Sequence, residues 1–224
     1  PIIPNIETIQ NRVNIEIMRG CLKSCRYCQA GYINRPRRII KSETVAEISR
    51  ELLLQTGMNS ITLSSLSSSD YPELENLLSK IKPFCDENKI TISTPSLRID
   101  SLMRLIKWKL NETKKNSLTI APEAGSELLR RKINKNLTDA DIDSALEFAV
   151  NQGYQTIKLY FLIGLPEENL EDIKGIITIV KKLLYYGRKK IRRIKLALSV
   201  FVPKPHTALQ FAKFADEKEI TEKI

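Results

Sequence analysis

The chain has 224 residues, 42% of them hydrophobic and 28% charged, and carries a formal net charge of +10 from 36 Lys and Arg against 26 Asp and Glu. That composition suits one globular domain large enough to bury a core. The absence of any run of about 18 apolar residues excludes a membrane-spanning helix, and Pro1-Ile2-Ile3-Pro4 lacks the basic region of a signal peptide, so a cytoplasmic protein with no membrane partner is expected. A first residue other than Met and a charged stretch from Lys213 to Ile224 read as one domain, residues 1–224, cut from a longer protein.

In chain order, Asn11 to Met18 reads as a strand, with Val13, Ile15 and Ile17 alternating. A cysteine loop follows. Ser42 reads as an N-cap, Val45, Ile48 and Leu52 as a helix face, and Gly57 as its end. Ser60 to Leu63 is a short strand. Asp70 reads as the N-cap of a helix with the stripe Leu74, Leu77, Leu78 and Ile81. Ile90 to Ser93 is a third strand, Ser101 to Lys109 a short helix, Ser117 to Ala121 a fourth strand and Ser126 to Ile133 another short helix. Thr138 caps a longer helix carrying Ile142, Ala145, Leu146, Ala149 and Val150, with Gly153 after it. Thr156 to Ile163 is the fifth strand. Leu170, Ile173, Ile177, Val180 and Leu184 mark a helix that stops near Gly187, and Ile194 to Val202 is the sixth strand. Alternation of this kind predicts an α/β fold with a parallel sheet and right-handed crossovers, the active site lying on the β-to-α loops.

Three of the four cysteines crowd into one stretch, Arg19-Gly20-Cys21-Leu22-Lys23-Ser24-Cys25-Arg26-Tyr27-Cys28. In a cytosolic protein this points to metal rather than disulfides. The spacing C-x3-C-x2-C lets three thiolates on a tight loop hold three irons of a cubane, leaving the fourth iron open, unlike a four-cysteine electron carrier. The alternative is zinc, which needs a fourth ligand; Cys85 and the lone His206 are the spare donors.

The loop, Tyr27 and the six-fold β/α pattern resemble the radical S-adenosylmethionine (SAM) superfamily. The stretches Arg19 to Arg38, Ser93 to Asp100, Ala121 to Asn136, Lys158 to Glu167 and Phe201 to Thr207 resemble a bacterial subfamily of unassigned reaction whose members often carry a cobalamin-binding-like domain. The resemblance implies a partial TIM-type (β/α)6 barrel. It implies a [4Fe–4S] cluster on Cys21, Cys25 and Cys28 that reductively cleaves SAM to a 5′-deoxyadenosyl radical, with an electron donor such as flavodoxin or ferredoxin, and cobalamin as a further cofactor held outside this segment.

It also implies roles around SAM. The family's Gly-Gly-Glu amino-group contact is replaced by Ser64-Ser65-Leu66-Ser67-Ser68-Ser69-Asp70, where Ser65 or backbone oxygens could serve. Ser96 and Arg98 follow the third strand, with Arg98 suited to a carboxylate. Glu123 stands where a ribose- or methionine-binding group is placed, beside Ser126, and Arg130 where an Arg meets the SAM carboxylate. Gly164, in Leu162-Ile163-Gly164-Leu165-Pro166-Glu167, permits close backbone approach to adenine, and the backbone of Phe201 and Val202 reads its edge; core packing is the plainer role for Phe201. His206 has no assigned role.

Arg188, Lys189, Lys190, Arg192, Arg193 and Lys195 fall within eight residues, and Arg35, Arg37, Arg38 and Lys41 form a second basic group. Such clusters can hold nucleic acid or an anionic cofactor; without aromatic interleaving, solvated helix ends are the plainer reading. Two functions therefore stand: a radical SAM enzyme acting on RNA (methyl or methylthio transfer among the reactions), a small metabolite or a protein side chain, or a non-catalytic iron–sulfur or zinc module that binds nucleic acid.

Overall fold

A computed structural model of the chain describes residues 3–6, 8–9, 11–95, 117–188 and 190–224. The helix expected over Ser101 to Lys109 and the candidate residues Ser96 and Arg98 lie outside them. The elements are β1 (Val13–Glu16), β2 (Met18–Arg19), α1 (Gln29–Ile33), β3 (Arg38–Ile39), α2 (Ser42–Thr56), β4 (Ser60–Ser64), α3 (Leu74–Glu87) and β5 (Thr91–Ser93). Then come β6 (Ser117–Glu123), α4 (Glu127–Lys132), α5 (Asp139–Asn151), β7 (Thr156–Ile163), α6 (Leu170–Tyr186), β8 (Arg193–Val200) and α7 (Glu217–Lys223). No described helix is long and apolar enough to cross a membrane.

The fold is α/β with parallel sheets, divided into two compact units: Pro1–Leu22 with Asn34–Lys114, and Lys23–Ile33 with Lys115–Ile224. The first unit holds a parallel sheet in the order β1-β4-β5, with Val13 opposite Ile61 and Ile61 opposite Ile92. The strand expected from Asn11 to Met18 is broken at Ile17. Its N–H donates to the Ser64 carbonyl (3.0 Å) and its carbonyl accepts from Ile40 N–H (3.1 Å), which turns β2 away into an antiparallel pair with β3. Leu74, Leu77, Leu78 and Ile81 of α3 are all buried, and Cys85 extends the same stripe.

Three local expectations for this unit are corrected. Lys41, not Ser42, occupies the N-cap of α2; Ser42 is buried and its N–H donates to Glu73 Oε2 (2.9 Å). The buried face of α2 is Val45, Ala46, Ser49 and Leu53, while Ile48 stays exposed. Small residues at 46 and 49 let the helix approach, and Ser49 satisfies its hydroxyl on the Val45 carbonyl (2.6 Å). Asp70 caps no long helix: it ends a 3-10 turn and accepts from Ser67 Oγ (2.8 Å), and α3 begins four residues later.

The second unit holds a parallel sheet in the order β6-β7-β8, and all eight residues of β7 pair with β8. Thr138 caps α5 as expected, in a reciprocal capping box with Asp141; Asn169 and Asp172 build the same device on α6. The apolar stripe of α6 is displaced by one residue. Ile176, Ile179 and Leu183 are buried, whereas Leu170, Ile177 and Leu184 are exposed. The cause is a backbone contact: a Cβ on Gly125 would meet the Asp172 carbonyl oxygen at 2.0 Å, and one on Gly175 would meet the Gly125 carbonyl oxygen at 2.7 Å. That approach, available only to glycines, fixes the rotation of α6 and overrides the stripe read from hydropathy.

Candidate functional site

The cysteine loop is held from within the second unit by backbone groups. Arg26 N–H donates to the Ile133 carbonyl (2.9 Å) at the end of α4, and Leu209 N–H to the Arg26 carbonyl (3.3 Å). Asn134 Nδ2 donates to the carbonyls of Lys23 and Ser24 (both 3.0 Å), and Gln29 Nε2 to the Pro205 carbonyl (3.2 Å). Cys28 N–H closes a turn onto the Cys25 carbonyl (3.0 Å). Asn134 was not singled out in the sequence. Its signal is an Asn just past a short helix, where it adopts φ 55 as a left-handed helix end does.

Cys21 belongs to the first unit and Cys25 and Cys28 to the second, with Leu22 to Ser24 joining them. All three are partly exposed, and none of the four cysteines is in a disulfide. Among the described residues no three Cys, His, Asp or Glu side chains are already gathered as a metal group, so the fit to a cluster rests on donor chemistry. Three thiols within eight residues match the three-thiolate half of a cubane site. Cys85 is no fourth donor. It is 1% exposed in the apolar core of the first unit, and burial pushes its thiol up to about 11. Iodoacetamide at pH 8 should therefore label Cys21, Cys25 and Cys28 of the native apoprotein and leave Cys85 unmodified, as read by peptide mass spectrometry. His206 sits in an exposed turn, its N–H donating to Gln210 Oε1 (3.2 Å), beside a cavity of about 560 Å³ lined also by Tyr32 and Ile33.

Tyr27 packs against the apolar cluster of Ala124, Leu129, Ile133, Leu165 and Phe201. Its phenol is pushed well above the ordinary tyrosine range, by burial first and then by the charges of Glu123, Cys25 and Cys28, and it shares a hydrogen bond with Glu123. It stays protonated and donates to that carboxylate. Glu123 ends β6 after a register shift, in a left-handed conformation at φ 71. Lys135 Nζ stands 3.4 Å from its Oε1, with both side chains largely buried. A carboxylate accepts at about four lone-pair sites, so Glu123 keeps acceptor capacity beside the cysteine loop.

Several other candidates have structural roles. Arg130 is corrected as a SAM-carboxylate contact. It is wholly buried, with Nε on the Leu137 carbonyl (2.8 Å), Nη1 on those of Ala124 (3.1 Å) and Gly125 (3.0 Å), and Nη2 on Asp139. Its donors hold the turn that presents Glu123 rather than a ligand. Ser126 caps α4 by accepting from Leu129 N–H (3.1 Å) and donates to Asp172. Gly164, at φ 79, is needed by the chain's own C-terminal segment, since a Cβ there would meet Ile220 Cδ1 at 2.9 Å and Ala215 Cβ at 3.0 Å. Its N–H donates to Glu168 Oε2 (2.7 Å). Phe201 is core, and its N–H is spent on the Ile163 carbonyl (2.8 Å); Val202 is exposed. Ser65 accepts from Ser67 N–H (3.2 Å) and pairs with Ser68 Oγ (3.1 Å), holding its own turn in the first unit.

Comparison with known proteins adds a family. The sequence profile described as "Radical SAM superfamily" matches residues 15–180. An uncharacterised protein of Methanocaldococcus jannaschii is 36% identical over 204 residues, which span 89% of this chain and 43% of that protein. The tRNA-2-methylthio-N(6)-dimethylallyladenosine synthase of Pelagibacter ubique is 23% identical over 231 residues, 94% of this chain and 47% of the enzyme. The chain thus spans less than half the length of these relatives. Among solved structures, the radical SAM methyltransferase TsrM of Kitasatospora setae, with cobalamin and a [4Fe–4S] cluster bound, matches at TM-score 0.62 and 14% identity over 89% of this chain and 38% of its own. The hydrogenase maturase HydG matches at TM-score 0.56 and 14% identity over 95% and 48%. These likenesses show the barrel-type fold.

Proposed function

The chain belongs to the radical SAM superfamily, and on that premise we propose that it is the core of a radical SAM enzyme in which Cys21, Cys25 and Cys28 carry a [4Fe–4S] cluster and SAM takes the open iron. The observation that carries this reading is the donor set: three thiols on one loop and the fourth cysteine sealed in a core. When bound, the pair supplies the electron-driven cleavage of SAM and the deoxyadenosyl radical that takes a hydrogen atom from substrate.

The chain's own residues bind and shelter. Asn134 and the Ile133 carbonyl fix the loop backbone. Tyr27 closes one side of it with an apolar ring and keeps its proton. Glu123 offers its remaining lone pairs to a hydroxyl or ammonium group of SAM. Glu123→Gln should weaken SAM binding to the reconstituted protein about 10- to 100-fold, the worth of a charge-assisted hydrogen bond, measured by equilibrium dialysis; unchanged affinity removes Glu123 from the site.

For the substrate we propose RNA. Support comes from the +10 net charge and from relatives at 23–25% identity named as tRNA-2-methylthio-N(6)-dimethylallyladenosine synthases. Cobalamin is a proposal for the longer protein only, supported by the likeness to TsrM. The reaction class is tested by anaerobic reconstitution with iron and sulfide, then dithionite and SAM. Formation of 5′-deoxyadenosine is expected; none from a fully loaded cluster contradicts the proposal.

A further inference from the structure

The connection from α6 to β8 reads Gly187-Arg188-Lys189-Lys190-Ile191-Arg192-Arg193-Ile194. Gly187 N–H closes α6 on the Leu183 carbonyl (2.8 Å), and the N–H groups of Lys190 and Ile191 return to the Gly187 carbonyl (2.9 and 3.1 Å). Ile191 packs so closely on Gly187 that a Cβ there would meet its Cδ1 at 2.6 Å. Arg192 and Arg193 N–H both donate to the Gln155 carbonyl (2.9 and 3.1 Å), which fixes the entry to β8. Ile191 and Ile194 are half-buried by this turn, and Arg188, Arg192 and Arg193 are left exposed.

The turn encloses a cavity of about 360 Å³, within the size range of small-ligand sites. Leu183, Ile191 and Ile194 give it an apolar lining, and Arg188, Arg192 and Arg193 give it charge. Among the described residues no carboxylate pairs with any of these three guanidiniums, although Lys174 and Lys182 on α6 each find one. Cations at a helix C-terminus are favoured by its dipole, which accounts for Arg188 but not for Arg192 and Arg193, past the turn. Arg188 lies over the ring of Tyr185 at 5.9 Å, and Tyr185 is 69% exposed and meets Tyr186 edge to face. An acidic peptide would need only the charge. An exposed ring beside guanidiniums also matches a polyanion that carries bases.

We propose that this turn binds a single-stranded stretch of an RNA substrate, with phosphate groups on Arg188 and Arg192 and a base stacked on Tyr185. A base is free to stack on a side chain only where the RNA is unpaired. Leu198 of β8 is in register with Phe161, which pairs with Glu123. Arg193 lies five residues before Leu198, about 16 Å along the strand. The turn therefore grips RNA at a distance from the Glu123 end of the sheet. The inference rests on the RNA reading above but not on cluster chemistry, because binding is read without reductant.

The test compares the reconstituted full chain with Arg188→Gln/Arg192→Gln, with Tyr185→Leu and with Lys181→Gln/Lys218→Gln, a control that removes equal charge from α6 and α7. All five positions are exposed, and far-UV circular dichroism confirms folding of each variant. Binding of a short single-stranded RNA, of its duplex and of polyglutamate is measured across salt concentrations. The arginine variant should lose at least 10-fold in affinity for the single strand at low salt, with a salt slope shallower by about 1.4, two contacts at about 0.7 each. Tyr185→Leu should lose at least about 5-fold with the slope unchanged, since it removes a stacked base and no charge. The control should lose less than 3-fold, and the duplex should bind the wild type more weakly than the single strand. A wild type that binds no RNA overturns the RNA reading and this site with it. RNA binding that falls equally in the arginine variant and the control, or in neither, overturns this site and leaves the RNA reading standing. Duplex bound as tightly as single strand overturns the stacked base, and polyglutamate bound as tightly as RNA at the arginines assigns the turn to an acidic protein instead.

Discussion

Replacing any one of Cys21, Cys25 or Cys28 by Ala should abolish stable cluster loading. With two thiolates left, iron after anaerobic reconstitution and desalting should fall from about four per chain to a small fraction of that, with loss of the broad absorbance near 400 nm. Cys85→Ala should load like the wild type, because its thiol is buried in the core of the first unit and contributes only packing. The contrast separates two readings of the same four cysteines. If zinc held by the loop plus Cys85 were the true site, Cys85→Ala would lose metal as severely as the others, and the metal recovered would be zinc.

Arg130→Leu should be the most destabilising single change in the second unit. The substitution leaves the carbonyls of Leu137, Ala124 and Gly125 without the donors that now reach them. Each buried acceptor left unpaired costs about 1–3 kcal/mol, so a loss of about 3–9 kcal/mol is expected for the three, read as a fall in urea midpoint or as failure to fold. The exposed Asp139 partner adds little, since a charge in water needs no pair. Arg131→Leu is the control one residue away. Its side chain is 67% exposed and pairs with Glu127 (2.5 Å), and removing it should change stability by under about 1 kcal/mol. A similar cost for both would mean that the buried network around Arg130 contributes little.

Arg130 also marks the limit of what the sequence could disclose. Arg130 and Arg131 are adjacent and chemically alike, and only the rotation of a six-residue helix puts one inside and the other in water. The six strands were legible because alternation and β-branched residues mark them directly: β7 has the expected bounds and β4, β5, β6 and β8 differ by one to three residues at their ends. Helix existence was legible too, through Thr138, Gly57 and Gly187 at the ends. Helix rotation was not. In α6 it is set by the meeting of Gly125 with Gly175, which are fifty residues apart in sequence and carry no hydropathy signal.

The candidate site divides along the same line. The three cysteines stand out in the sequence because a metal demands identical donors at short spacing, Tyr27 because it belongs to their loop, and Glu123 because it stands where the resembled family places a SAM-binding group; the structure brings Tyr27 and Glu123 together. Ser126 and Gly164 sit at the right loops but serve the fold. A hydroxyl at the start of a helix satisfies backbone N–H groups before it can serve a ligand, and a glycine that admits close approach admits whichever neighbour arrives, in this chain Ile220 and Ala215. Asn134 and the cavity beside Arg188 and Arg192 emerge only once the backbone of their turns is known.

The most direct test of the proposed site is whether SAM reaches an iron that Cys21, Cys25 and Cys28 would leave open. The protein is reconstituted anaerobically and reduced, and the electron paramagnetic resonance spectrum of the cluster is recorded before and after SAM is added. A three-thiolate site predicts a clear shift of the g-values on addition of SAM, absent on addition of buffer alone. An unshifted spectrum from a fully loaded cluster, or a site filled by zinc with four protein ligands, would contradict the account.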